Sequence, residues 1–399
     1  MSKIDDLIKE LCPDGVELIE LNKVTRYEQP TKYIVRSSIY NDSFSTPVLT
    51  AGKTFILGYT DESSGVYNAS VYPVIIFDDF TTANKWVDFD FKVKSSAMKM
   101  ITSVDEGAVL LKYIYYWLNT LPSGLVEGDH KRQWISSWSK KKIPVPPLEV
   151  QREIVRVLDS FTELEAELEA ELEARKKQYE YYRDTLLTFN EGVKWSPLGE
   201  ILKSLNTGLN PRQFFKLNTE DASNFYVTIK EIKGGSLCIT SKTDRINDKA
   251  LELCNNRSNL EVGDVLFSGT GTIGETYEIR DEPYNWNIKE GVYSLKPDSS
   301  KINSTFLSHI LKTTIMKKYY TNKAAGGTVK SVSMSELKKI PIPVPTLEEQ
   351  QKITEILDKF EKLTNDISVG LPAEIEARRK QYEYYRNKLL TFKVLECSR

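Results

Sequence analysis

Cysteine and histidine are scarce in this 399-residue chain. The four cysteines, Cys12, Cys238, Cys254 and Cys397, show no CxxC spacing. That argues against a zinc or disulfide framework and suits ordinary thiols in a reducing compartment. Only two histidines exist, His130 and His309, and neither has a plausible triad around it. No apolar run is long enough to span a bilayer. The opening MSKIDDLIKELCPDG is too acidic and too interrupted for a signal peptide, so no membrane association and a cytoplasmic location are expected. There is no GKS/T phosphate loop. A strong charge of one sign is also lacking: the formal net charge is −2, so bulk charge does not mark a nucleic-acid binder. What is present is 40% hydrophobic and 11% aromatic residues, enough for ordinary buried cores in two or three domains.

The chain says the same thing twice. EARKKQYEYYRDTLLTF at 173–189 returns as EARRKQYEYYRNKLLTF at 376–392, with fourteen of seventeen positions identical. Upstream, IPVPPLEVQREIVRVLDSF at 143–161 returns as IPVPTLEEQQKITEILDKF at 342–360. The segments between the copies, roughly 12–142 and 191–341, show little evident similarity. Asp14-Gly15-Val16 before the first resembles Glu191-Gly192-Val193 before the second, so entry and exit are both echoed. A repeated scaffold around unlike cargo implies two different readers held at a set separation.

Each copy opens with alternate prolines, which exclude a helix interior and favour extended chain before a new helix. A heptad follows. Spacings of four and three connect Ile154, Leu158, Phe161, Glu165, Leu168, Leu172, Arg175, Tyr179, Tyr182, Leu186 and Phe189. The same register gives Ile353, Leu357, Phe360, Thr364, Ile367 and Leu371, and resumes as Arg378, Tyr382, Tyr385, Leu389 and Phe392. Sustained a/d patterning argues for paired helices. The alternative is two separate helices, each docked on a globular domain. ELEA occurs three times at 163–174, whereas the second copy is four residues longer and carries Gly370 and Pro372. Four extra residues are a stutter, and Gly-Leu-Pro breaks or kinks a helix. The first helix is therefore expected to be continuous and the second interrupted. A 40-residue helix is ~60 Å long at ~1.5 Å per residue. That is the scale on which modules reach successive major grooves, ~34 Å apart.

These blocks resemble the specificity subunit of type I restriction–modification enzymes. The resemblance covers essentially the whole chain and rests on the two IPxPxLExQ blocks, the two EARxKQYEYYR blocks and the variable segments between them. It implies an α+β fold. Two small α/β target recognition domains would be separated by two long helices packed as an antiparallel coiled coil, in a pseudo-twofold circular arrangement with the termini close together. The domains would be 1–142, a first repeated helix at 143–190, 191–341, and a second repeated helix at 342–399. Each recognition domain would read one half of a bipartite, asymmetric target on double-stranded DNA. The helices would dock two methyltransferase subunits, and motor–nuclease subunits would complete the enzyme. The chain itself would be non-catalytic and hold no cofactor or metal; S-adenosylmethionine, ATP and magnesium would sit on the partners. No N-P-P-F/Y or D-P-P-Y element, by which adenine methyltransferases hold their target amine, is found. The alternative reading is an interaction protein whose coiled coil joins two protein-binding domains.

The first variable segment has alternating runs at 47–59 and 71–77, an aromatic stretch at 86–91 and a helical pattern at 110–120. The second has strand patterns at 225–232, 264–267, 276–279 and 292–295, then a helical pattern at 304–322. Strands followed by a late helix, twice, indicate two small α+β domains. Base edges are read by Arg, Lys, Asn and Gln, and phosphates by basic groups or backbone. Candidate DNA-contacting residues are Lys53, Asn84, Lys85, Lys131, Arg132 and Gln133 in the first domain. In the second they are Arg212, Gln213, Lys242, Arg245, Lys323, Thr328 and Lys330, with the glycines of 323–330 allowing close approach to phosphate. The seam tyrosines are read as packing rather than base stacking. Gly269-Thr-Gly-Thr-Ile-Gly274 satisfies GxGxxG, but the β-type pattern after it argues for a turn between strands rather than a dinucleotide site. Asp221, Glu231 and Lys233 have a spacing loosely compatible with a metal-dependent nuclease.

Overall fold

In a computed structural model, the structure describes residues 2–51, 54–122, 132–189, 192–325, 330–365 and 370–395. The chain forms two compact units. One comprises Met1–Ala166 with Ala377–Arg399, the other Glu167–Glu376. Each unit therefore combines one variable segment with parts of both repeats.

The two variable segments, unlike in sequence, fold alike. In the first unit a four-stranded antiparallel sheet runs in the order Thr25–Glu28, Met98–Ser103, Val74–Asp78, Asn84–Val87. In the second the same order is Leu202–Thr207, Val292–Pro297, Val265–Ser268, Thr276–Glu278. A three-stranded sheet accompanies each. Thr46–Leu49 lies between antiparallel Ile56–Thr60 and parallel Lys92–Val93. Asn224–Val227 lies between antiparallel Arg245–Ile246 and parallel Trp286–Ile288.

The physical cause is shared burial. Successive strand side chains point to opposite faces, so a central strand covered on both sides must be apolar throughout. In Val74–Asp78, Ile75 and Phe77 join a core with the late helix Leu111–Leu118, while Val74 and Ile76 join a core with the smaller sheet. In Val265–Ser268, Val265 and Phe267 pack with the late helix Ser304–Leu311, and Leu266 packs toward the smaller sheet. Each domain is thus helix, sheet, sheet.

Each domain is pinched at its neck by its own entry and exit. Glu17–Glu20 pairs with Lys142–Val145, and Lys194–Pro197 pairs with Pro341–Val344, both antiparallel. Alternate prolines in the exit strands place the missing N–H groups on the side away from the partner, so a two-stranded ladder is as far as pairing goes. Gly15 at φ 112° and Gly192 at φ 109° turn the chain into these strands. A Cβ at Gly15 would lie 2.7 Å from the Lys393 carbonyl. Val16 bridges Val394, so residues near both termini are joined in the first unit.

The first repeat is one helix, Leu148–Leu186; the second is two, Leu347–Asn365 and Leu371–Leu389. Within the first unit Phe161 stacks on Tyr385 at 5.6 Å and also meets Tyr382. Arg379 donates to Glu165 at 2.6 Å, and Leu389 shares a core with Ile154 and Leu158. Rising residue number on one helix meets falling number on the other, so the segments are antiparallel. The second unit repeats the pattern: Phe360 stacks on Tyr182 at 5.4 Å, and Leu357 and Ile353 share a core with Tyr179 and Leu186. Leu168 is buried and Leu172 half-buried in the same unit. Ile367 lies outside the described residues.

Several sequence expectations need correction. The run 47–59 holds parts of two antiparallel strands, Thr46–Leu49 and Ile56–Thr60. The run 225–232 stops at Val227, where the Glu231 carboxylate accepts from the Thr228 N–H and closes a turn. The pattern 304–322 is two helices, Ser304–Leu311 and Thr314–Lys323, because Thr313 is extended and its hydroxyl caps the next helix at Met316. The helix Asp248–Ser258 had not been expected; its alternating polar sequence hides a narrow buried face of Ala250, Leu251 and Cys254.

Candidate nucleic-acid interface and its mounts

In the first domain the turn 79–83 leads from the central strand into Asn84–Val87. Asp79 ties the late loop to this turn. Its carbonyl accepts from the Gln133 N–H at 2.8 Å, and its carboxylate accepts from the Trp134 N–H at 2.9 Å. The other carboxylate oxygen lies 3.4 Å from the buried Lys99 ammonium, which in turn faces the Tyr27 ring. Asn84, Lys85, Arg132 and Gln133 are thereby gathered at one end of the sheet. Lys85 and Arg132 are exposed, Gln133 is half-buried, and the Asn84 amide oxygen is buried without a hydrogen-bond partner. Lys53 and Lys131 lie outside the described residues. A cavity of about 380 Å³ beside this loop is lined by Arg26, Tyr27, Trp134 and Ile135 among others. Arg26 and Tyr27 were not among the sequence candidates, because nothing local in Thr25–Glu28 shows that this strand faces a cleft.

The second domain uses the same place differently. The glycine turn 269–274 joins two antiparallel strands, and Thr276–Glu278 rather than a helix follows it, so the pyrophosphate site of a dinucleotide fold is not formed there. Gly271 N–H donates to the Lys330 carbonyl at 3.0 Å, and Val332 N–H donates to the Gly269 carbonyl at 2.9 Å. A Cβ at Gly274, which has φ +95°, would collide with the Tyr320 hydroxyl. Lys330 and Lys323 are exposed around this turn; Thr328 lies outside the described residues. The other candidates are elsewhere. Arg212 and Gln213 lie in the short helix Pro211–Phe214, and Lys242 is exposed in a turn. The Arg245 guanidinium sits 4.7 Å from the Phe225 ring centroid at the smaller sheet.

Asp221 and Glu231 of the nuclease-like trio are each engaged in local hydrogen bonds. Asp221 accepts from Thr219 at 2.6 Å and Asn247 at 2.9 Å, and these bonds hold its carboxyl below its usual range. Glu231 closes its own turn on Thr228, and Lys233 is exposed in a hairpin.

The two repeated glutamines hold each domain to its helix. Gln151 is fully buried; its amide donates to the carbonyls of Ala108 and Pro146 at 3.0 and 2.8 Å, and its oxygen accepts from Leu110 N–H at 2.9 Å. Gln350, also fully buried, donates to Lys301 and Pro345 carbonyls at 3.1 and 3.0 Å and accepts from Asn303 N–H at 2.7 Å. Leu110 and Asn303 are both the residue preceding the late helix. Eight positions on, the repeated aspartates make a second tie. Tyr116 donates to Asp159, and His309 Nε2 lies 2.9 Å from Asp358.

The expectation that His309 lacks a triad is therefore corrected in geometry. Tyr179 Oη lies 3.0 Å from its Nδ1, completing a Tyr–His–Asp chain around the buried imidazole. Its chemistry is structural. Burial pushes the Tyr179 phenol up, the reverse of an activated nucleophile. Burial alone would raise Asp358, but the His309 hydrogen bond and nearby Arg280 and Lys312 hold it below the usual carboxylate range. Those cations also occupy the carboxylates of Asp358 and Glu361 that a metal would need.

Known proteins are similar to this chain in sequence and in fold. Residues 20–174 and 190–377 match the type I restriction modification DNA specificity domain. The chain belongs to this family. The specificity subunit of the Escherichia coli type I restriction enzyme EcoR124I/EcoR124II is 47% identical over 416 residues, covering 98% of each chain. The fold also matches the crystal structure of a type I restriction–modification S subunit from M. genitalium, with TM-score 0.55, 15% identity, and 94% and 96% coverage. A further match comes from work on complex assembly and conformational transition of the type I R-M system, with TM-score 0.54, 19% identity, and 95% and 98% coverage. This specificity subunit is a DNA-recognition component rather than an enzyme in itself. Among the described residues no helix is long and apolar enough to cross a membrane.

Proposed function

We propose that this specificity subunit reads a split, asymmetric sequence on double-stranded DNA, one half with each recognition domain. One observation carries this reading: the same two-sheet domain occurs twice, mounted through the same glutamine and aspartate, with different chemistry at the same end of its sheet. An Asp79-held loop presents Arg132 beside Lys85 and Asn84 in one. A glycine turn presents Lys330 and Lys323 in the other. Equal mounts with unequal loops suit two unlike half-sites in equivalent orientations.

The partners are two copies of one methyltransferase subunit, with motor–nuclease subunits completing the enzyme. Exposed residues are free to diverge after duplication, yet Lys177, Glu180 and Tyr181 recur as exposed Lys380, Glu383 and Tyr384. Tyr181 and Tyr384 are 67% and 62% exposed, and exposed aromatics of this kind anchor interfaces. The same exposed stripe twice suits the same partner twice. On this reading S-adenosylmethionine, ATP and magnesium belong to the partners, and the complex works in the cytoplasm.

The test is methylation mapping of DNA from cells expressing this chain with its cognate subunits. The expected result is adenine methylation at one bipartite, asymmetric motif. A continuous motif, or no motif with all partners active, sinks the reading.

A further inference from the structure

We infer that Gln151 and Gln350 are positioning residues that set how strictly the complex measures the gap between half-sites. The inference rests on the bipartite reading above. Among the described residues of the two repeats the buried side chains are mostly apolar, and apolar contacts tolerate sliding by fractions of an ångström. A primary amide held by two donated and one accepted hydrogen bond does not slide, because each bond weakens steeply with misalignment. Both glutamines make the same three bonds, to the same three structural points. One point is the carbonyl of the proline two residues before the helix, one is the loop entering the late helix, and one is the N–H of the residue preceding that helix. The amide therefore fastens three segments at once: exit strand, spacer helix and recognition domain.

The aspartate two turns further along prevents rotation about that point. Asp159 takes the Tyr116 hydroxyl, and Asp358 takes His309. Two fixed points on one helix define the angle of the domain about it. Between the domains the residue meeting the aspartate differs, Tyr against His, while the aspartate and glutamine stay the same. What is retained is the mount. A freer mount would let each domain swing and accept half-sites at neighbouring spacings, while the base-reading loops stay unchanged.

The experiment uses the whole complex with its cognate subunits and maps methylation genome-wide. Gln350→Met and Gln151→Met keep the side-chain volume and remove the three bonds. The half-site bases should stay the same, while methylation at gaps one base pair longer or shorter rises about tenfold relative to wild type. Asp358→Ala, on a part-exposed side chain that tolerates truncation, should give the same change more weakly and serves if the glutamine variants fail to assemble. Restoring Gln at position 350 must restore stringency. An assembled variant that keeps wild-type gap stringency, or that changes the half-site bases, overturns the inference. A continuous motif from the wild-type complex instead overturns the bipartite reading beneath it.

Discussion

His309 shows what a single side chain decides in this molecule. It is buried between Tyr179 and Asp358, and the equivalent place in the first domain is filled by Tyr116 against Asp159. His309→Ala leaves the buried Tyr179 hydroxyl without its imidazole partner, a loss of ~1–3 kcal/mol, while part-exposed Asp358 keeps Arg280 and solvent. His309→Tyr should lose clearly less, because a tyrosine already does this task in the other half. Thermal unfolding of the two variants checks the order; equal losses would mean that the chain of hydrogen bonds does not matter. Glu153 carries a pH prediction. Hydrogen bonds from Arg156 and then Lys3 hold its carboxyl at about 2, against ~4.3 in unfolded chain. The unfolded state binds this proton more readily, so the contribution is complete above about pH 4.3 and is lost as pH falls toward 2. Glu153→Gln should flatten the fall in melting temperature between pH 5 and pH 2. An unchanged slope would show that other carboxylates dominate.

Among the elements, the repeats were the most legible. A heptad is a local pattern, with every seam residue three or four positions from the next, so the continuous helix Leu148–Leu186 and the break near Gly370 follow from spacing alone. The strands were less legible because pairing is non-local. Nothing within 47–59 says that one strand must end at Leu49 and the next begin at Ile56, and Val227 ends its strand where Glu231 turns back on Thr228. The mounts were invisible as function: a glutamine in a repeated LExQ reads as solvated helix surface, and the only sign was its presence in both copies. The spacer yields the element-scale prediction. Deleting residues 171–174, one ELEA unit, should change the gap length and leave both half-sites intact. That shortens the helix by ~6 Å at ~1.5 Å per residue. Altered half-site bases in the methylation map would contradict a spacing role for this helix.

For the molecule as a whole, duplication separates recognition from assembly. The sheets, the neck ladders and the mounts recur, while the loops at the end of each larger sheet do not. Replacing residues 191–341 by the corresponding segment of another member of the family should therefore change one half-site and retain the other, as read by methylation mapping. A change in both halves would show that the domains are not independent readers. The candidate DNA-contacting residues are only partly grouped by the fold. Asn84, Lys85, Arg132 and Gln133 are brought together by folding, as are Lys323 and Lys330 around the glycine turn. Arg212 and Arg245 share their residue types but sit on other parts of the second domain.

By itself the sequence determined the duplicated plan, the helical register and the extended proline necks, because these depend on neighbours a few positions away. The tertiary structure decided that two dissimilar segments share one strand order, that Gln151 and Gln350 fasten each domain to its helix, and that His309 joins Tyr179 to Asp358. Each of these depends on burial and pairing across many tens of residues. Alternation of apolar side chains specifies which face of a strand is covered, but leaves open which distant element covers it.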